Sequence, residues 1–167
     1  MTPKEKFSAM ADVMRSISRR KILVGWVQPS KNEPGTSMSM GKLARILCTG
    51  WESGTSKDGR SYPRLPARNF MKVTRSFYGH DVDKVCRKTI SKIVSGKMTE
   101  AQGLSWMAEY WKGKMQDAMG KSAEYEPLSP ATIKARKSAH RSVPSKFLSK
   151  PLIDTGTLRA SITYEVK

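Results

Sequence analysis

The chain has 167 residues, which is the size of one domain and enough to bury a hydrophobic core without disulfides or a structural metal. It contains 31 lysines and arginines against 14 aspartates and glutamates, and its formal net charge is +17. Such a surface attracts a polyanion or an acidic protein face and repels other copies of itself unless it is neutralised. No segment approaches the roughly 18 to 20 apolar residues of a membrane helix, so we expect no membrane partner.

The first part of the chain contains a helix-capping pattern followed by an apolar segment. Thr2 and Glu5 have the spacing of a capping box, and apolar residues then recur at helical steps, which predicts an amphipathic helix over residues 1–20. Residues 21–27 (KILVGWV) are apolar and partly β-branched. We therefore predict a buried strand directly after the helix.

The next part of the chain alternates between loops and a short helix. Prolines, glycine and polar residues predict a loop over residues 28–37, and apolar spacing predicts a short helix over residues 40–47. From residue 51 to 66 the composition shifts to Gly, Ser, Lys, Asp, Arg and Pro. We expect a long, mobile, extended loop there, followed by a helix over residues 69–78.

Long helices are predicted in the middle of the chain. Asp81 can cap a separate helix whose apolar stripe ends at Gly96. Thr99 opens a second capping box, and apolar residues at helical spacing continue from there to Met119. We expect these two helices to contribute most of the core.

The C-terminal part combines a basic loop with a final strand. We predict a short helix ending near residue 139, an extended loop over residues 140–151, and a strand over residues 162–166. The whole pattern predicts an α+β fold, with a small antiparallel β-sheet packed against two or three long helices. A single domain over residues 1–167 carries long basic loops.

The triplet Asp154-Thr155-Gly156 has the side chains of a tight turn that also caps a helix. The same triplet holds the catalytic carboxylate of aspartic proteases, which use two such aspartates. Only eleven residues follow Gly156, too few for the sheet and flap around such a site. We interpret the triplet as a structural turn in which Asp154 or Thr155 caps a helix that begins near Thr157.

Other catalytic or metal-binding patterns are weak. His80 and His140 are single and have no Cys, His or carboxylate at a ligand spacing. The close acidic pairs, at residues 81 and 83 and at residues 124 and 126, are two residues apart and would not share a helix face. We predict no catalytic, cofactor or metal site and no enzymatic activity. A metal-dependent activity lost on mutating both acids of the first pair would restore that alternative.

Aromatic and basic residues are more informative about interfaces. Trp26, Trp106 and Trp111 have core spacing and are interpreted as packing residues. Aromatic and arginine side chains between residues 51 and 70, and basic side chains between residues 137 and 150, are candidates for contacts with a partner. The candidates are Trp51, Arg60, Arg64, Arg68, Phe70, Lys137, Arg141, Lys146 and Lys150.

Several separated stretches resemble tailed-phage neck, tail-completion or head-tail joining proteins, the family of the HK97 gene-ten product and of phage virion morphogenesis proteins. They are KILVGWV, MGKLARILCTGWESGT, LPARNFM, PLSPATIKARK and PLIDTGTLRASITYEV, and they occur in the family's order. Asn69 stands where the family has proline, and the turn at Glu52 lacks its aromatic partner.

This resemblance implies a bacteriophage virion structural protein that completes the tail or joins it to the head connector. It also implies synthesis in the host cytoplasm and a homo-oligomer, with a hexameric ring preferred. Expected neighbours are neck, connector or tail-tube proteins, with channel DNA as a further contact. The alternative from another class is a non-specific nucleic-acid-binding protein, whose affinity would fall steeply with salt.

Overall fold

A computed structural model describes residues 2–27, 32, 37–138 and 145–167. Its elements are, in chain order, α1 (Pro3–Arg19), β1 (Ile22–Gly25), α2 (Met40–Thr49), β2 (Gly54–Thr55), β3 (Ser61–Tyr62), α3 (Phe70–Val94), α4 (Glu100–Met119), α5 (Pro130–Ser138), α6 (Thr157–Ala160) and β4 (Thr163–Val166). Small antiparallel sheets pack with the long helices α3 and α4, which confirms the predicted α+β class. Within these residues, no helix combines the length and apolarity needed to cross a membrane.

The two predicted terminal strands pair with each other. Strands β1 and β4 are antiparallel, with Ile22 opposite Val166 and Gly25 opposite Thr163. Reciprocal backbone hydrogen bonds between Lys21 and Lys167, of 2.7 and 2.8 Å, extend the pairing by one residue. The C-terminal segment is therefore built into the fold.

The helices α3 and α4 share the most extensive contact between any two elements. The predicted capping box at the start of α4 is present, with Thr99 Oγ1 accepting from the amide of Gln102. Gly96 has φ of 72°, a left-handed conformation that ends the turn after α3. The short connection between the two helices and the contact of their apolar faces bring them together.

One continuous helix replaces the two predicted between residues 69 and 96. The structure shows α3 running unbroken through Gly79 and Asp81. Gly79 is buried and has no side chain, and the side chain of Asp81 is exposed to solvent. Packing against α4 outweighs the weak helix preference of glycine and aspartate.

The central core surrounds Phe70, which is 1% exposed. It includes Met40, Ala44, Phe70, Met115, Met119, Tyr125, Leu152, Leu158 and Ile162. Trp26 meets Phe70 edge to face at 5.7 Å between ring centroids. The prediction of Phe70 as an interface residue is therefore corrected: its ring is used for packing within the chain.

Residues 51–66 form a β-hairpin, where an extended loop was predicted. The strands β2 and β3 pair, and Trp51 and Leu65 bridge at the base. The amide of Gly59, which has φ of 79°, donates to the carbonyl of Ser56 and closes the turn. These paired strands are short and largely polar, so they lack the alternation of apolar and polar residues from which a strand is predicted.

The predicted first helix forms, but three of its large apolar side chains remain exposed. Thr2 and Glu5 form the expected capping box. Phe7 is 76%, Met10 45% and Met14 50% exposed. We call these three side chains the α1 apolar face. It is exposed, although amphipathic spacing usually marks packing against a core.

The C-terminal end of α1 is held by one carboxylate of α4. Ser16 Oγ donates to Glu100 Oε2 at 2.7 Å, and Arg20 Nε donates to Glu100 Oε1 at 2.8 Å. These hydrogen bonds, the Ser16 contact first, lower the pKa of the Glu100 carboxyl. The helix is thus fixed near its last turn.

Candidate interaction site

Three of the predicted interface residues, Trp51, Arg64 and Arg68, line one pocket of about 470 Å³. Its walls come from the end of α2, the base of the hairpin, the segment before α5, and α5 itself. Gly50 makes this arrangement possible. It has φ of 66°, and a Cβ there would lie 2.5 Å from the carbonyl oxygen of Leu65.

Backbone pairing sets the position of Arg68 within this pocket. Trp51 and Leu65 exchange two backbone hydrogen bonds of 2.9 Å, and the Arg68 amide donates to the carbonyl of Leu47 at 2.8 Å. The Trp51 indole Nε1 donates to the carbonyl of Pro63 at 3.0 Å and stands edge to face with Tyr62. The hairpin base is therefore fixed against the end of α2.

The pocket contains the guanidinium of Arg68, a charged group on a buried residue. Arg68 is only 4% exposed, and Nε donates to the carbonyl of Glu126 at 3.4 Å. Its Nη atoms form no hydrogen bond, and no carboxylate oxygen lies within 4.0 Å, among the residues that the structure describes. Burial lowers the pKa of Arg68, with the Glu126 carboxylate opposing that shift and the charge of Arg136 adding to it.

Arg136 ties the segment after α5 to this site. Its Nη1 donates to the carbonyls of Lys150 at 2.9 Å and Ile153 at 3.0 Å, and its Nε lies 3.5 Å from Asp154 Oδ1. Burial lowers the pKa of Arg136, and the Asp154 carboxylate opposes the shift. These contacts hold Pro151 in a buried position, so the end of the predicted 140–151 loop is part of the packed structure.

The Asp154-Thr155-Gly156 turn is present, but Asp154 is not the cap. Helix α6 starts after Gly156, which occupies the N-cap position with φ of 84° and has no side chain to cap the helix. Thr155 Oγ1 instead accepts from the amide of Thr157 at 3.3 Å. Of the two predicted cap residues, Asp154 and Thr155, it is Thr155 that bonds to the helix start, while Asp154 Oδ1 lies 3.5 Å from Arg136 Nε.

The other predicted interface residues are spread over the surface. Arg60 is on the hairpin turn, where its 86% exposed side chain lies 3.3 Å from Asp58. Lys137 is exposed on α5. Lys146 and Lys150 place their ammonium groups 5.1 and 5.8 Å from the Phe147 ring centroid. Arg141 lies outside the described residues, as does His140.

Trp106 was predicted to be a packing residue, whereas for the first helix only an amphipathic pattern was predicted. Trp106 is 55% exposed on α4. Helical spacing shows which side chains share a face, but it does not show whether the fold supplies a partner for that face.

Comparison of the chain with protein-family models, with curated proteins and with solved structures finds no match.

Proposed function

We propose that this protein is a structural component of a bacteriophage neck or tail. In this role it completes the tail or joins it to the head connector as a homo-oligomeric ring, preferentially a hexamer, without enzymatic activity. It is made in the host cytoplasm and ends in the virion. The observation that carries the proposal is spatial: the stretches that resemble neck and tail-completion proteins are distant in sequence but adjacent in the fold.

The contacts between these stretches are specific. The strand in KILVGWV pairs with the strand that ends the chain, and Trp26 packs on Phe70 of LPARNFM. The backbone amide of Arg68 in LPARNFM donates to the carbonyl of Leu47 in the helix before it. Arg136 of PLSPATIKARK bonds to the backbone of the terminal stretch. These contacts support the proposal because the stretches that resemble one family belong to one packed unit.

The surface also supports assembly. A ring subunit presents two different faces to its neighbours, because head-to-tail contacts join unlike surfaces. The α1 apolar face supplies an exposed hydrophobic surface of the kind that marks protein contacts. The net charge of +17 favours acidic neighbours, which would offset the repulsion between copies.

The α1 apolar face provides a direct test of ring formation. Phe7→Asp places a charge on that face, whereas Ser8→Asp adds the same charge on another side of the helix. We expect rings of the unmodified protein and of Ser8→Asp, but monomers of Phe7→Asp with unchanged circular dichroism. Mass photometry and electron microscopy of the protein alone and on particles measure this. If the unmodified protein stays monomeric and is absent from the necks and tails of the phage particles, the proposal is contradicted.

A cluster of lysines and aromatic rings favours DNA contact as the second candidate function. Lys121 Nζ lies 4.4 Å from the Phe77 ring centroid, and Lys114 Nζ lies 4.9 Å from that of Tyr78. Phe77 is 46% exposed. Cationic and aromatic side chains together are typical of surfaces that contact single strands.

Salt dependence separates the two functions. A non-specific DNA-binding protein retains length-dependent affinity near physiological salt, with a steep slope of log affinity against log salt. Fluorescence titration with oligonucleotides of increasing length measures both properties. Loss of this affinity in the Lys114→Gln, Lys121→Gln double variant would assign it to the cluster.

A further inference from the structure

The pocket around Arg68 contains a largely buried positive charge that forms no ion pair with a described carboxylate. Arg68 is 4% exposed, and no described carboxylate oxygen lies within 4.0 Å of its guanidinium. Removing an ion from water is costly unless an opposite charge and hydrogen bonds replace the lost hydration. The Nη atoms are therefore free to donate charge-assisted hydrogen bonds to a carboxylate.

The nearby carboxylates already bind other arginines. Glu126 accepts from Arg64 Nη1 at 3.0 Å through Oε1 and at 3.1 Å through Oε2. Asp154 lies 3.5 Å from Arg136 Nε. The pocket lining itself contains three arginines and a single acidic residue, Glu126. The excess positive charge favours an anion from outside the chain.

The remaining walls define what kind of anion fits. Leu47, Leu65, Leu128 and Trp51 contribute apolar surface, and four prolines contribute apolar rings without backbone donors. A phosphate on duplex DNA is part of a hydrated backbone and offers no apolar group to such walls. A peptide carboxylate flanked by apolar side chains matches both the guanidinium and the apolar surface.

We propose that this pocket binds an acidic-apolar segment of a neighbouring protein. An aspartate or glutamate carboxylate of that segment accepts hydrogen bonds from the Arg68 Nη atoms, and its apolar neighbours pack on Trp51 and Leu128. The identification of the segment's source as a neighbouring virion protein rests on the proposed function. The recognition chemistry rests on the pocket alone.

Peptide binding tests the proposal with the full-length protein. The probe is a short fluorescently labelled peptide that alternates leucine and aspartate, and its control replaces each aspartate by asparagine. Arg68→Gln and Arg60→Gln each remove one positive charge, but Arg60 lies outside the pocket lining. We expect Arg68→Gln to weaken binding of the acidic peptide roughly tenfold to a hundredfold and Arg60→Gln to leave it nearly unchanged.

A measurement on the unmodified protein keeps the test decisive if Arg68→Gln does not fold. The Arg68 Nε–H resonance should shift on titration with the acidic peptide and stay in place with the asparagine peptide. The proposal would be overturned if the protein bound the two peptides with equal affinity, or if the Arg68 Nε–H resonance did not move. It would also be overturned if duplex DNA displaced the acidic peptide from Arg68. Intact rings together with failed peptide binding would reject the pocket assignment alone, whereas peptide binding without rings would reject the assembly role alone.

Discussion

Two glycines of α4 give opposite predictions for the same substitution. A Cβ on Gly103 would lie 2.8 Å from Ile93 Cγ1, closer still to Ile93 Cδ1, and 3.1 Å from Thr89 Cγ2. A Cβ on Gly113 would meet nothing within 4 Å. Alanine at either position should gain about 1 kcal/mol of helix preference. Overpacking at Gly103 should cost about 1–3 kcal/mol, because Ile93 is buried and its branched side chain is stiff.

The helix-preference gain cancels when the two variants are compared, so their difference measures the packing of α3 on α4. We expect Gly113→Ala to be more stable than Gly103→Ala by about 1–3 kcal/mol, measured by urea denaturation. Ile93→Val deletes Cδ1, the atom nearest to the added Cβ, but keeps a methyl at the Cγ1 position, so it should relieve part of the clash in the double variant with Gly103→Ala. Equal stabilisation by both alanines, or no relief by Ile93→Val, would refute the close approach of the helices.

Two further predictions concern the α1 attachment and the core. Because hydrogen bonds from Ser16 first and Arg20 second lower the pKa of Glu100 below its ordinary value of 4.5, they stabilise the docked α1 above that pH. This stabilisation is lost as the pH falls through the lowered pKa, so hydrogen-exchange protection of α1 should fall with it, and Glu100→Gln should already show weak protection at neutral pH. Protection of α1 that does not change on acidification would contradict this. Phe70→Ala should lower the free energy of unfolding by about 3–5 kcal/mol, whereas Met71→Ala at the 44% exposed neighbouring position should change it by about 0.5 kcal/mol or less in urea denaturation. Similar effects of both substitutions would exclude the central position of Phe70.

Local signals predicted the parts of the fold that local interactions determine. The capping boxes at Thr2 and Thr99 are properties of four consecutive residues, so the sequence contains all the information they need. The turn at Gly96 is similarly local. In contrast, the continuity of α3 through Gly79 depends on α4, which sequence propensities of α3 alone do not include.

The candidate site was predicted only in part for the same reason. Trp51, Arg64 and Arg68 are close in sequence, so a shared surface could be anticipated. Arg136 and Glu126 join them only because α5 and the preceding segment pack beside the hairpin base. Phe70 is two residues from Arg68, yet the helix start at Asn69 turns it into the core.

The pairing of β1 with β4 determines when this protein can finish folding. Ile22 leaves the ribosome early, but its strand partner Val166 is synthesised only after α1 to α6. Closing so long a loop carries an entropic cost that nearby helices do not face. The helical hairpin of α3 and α4 can therefore form during translation, whereas the sheet and the burial of Ile162 follow later. A nascent chain therefore cannot complete this sheet before residue 166 has been synthesised.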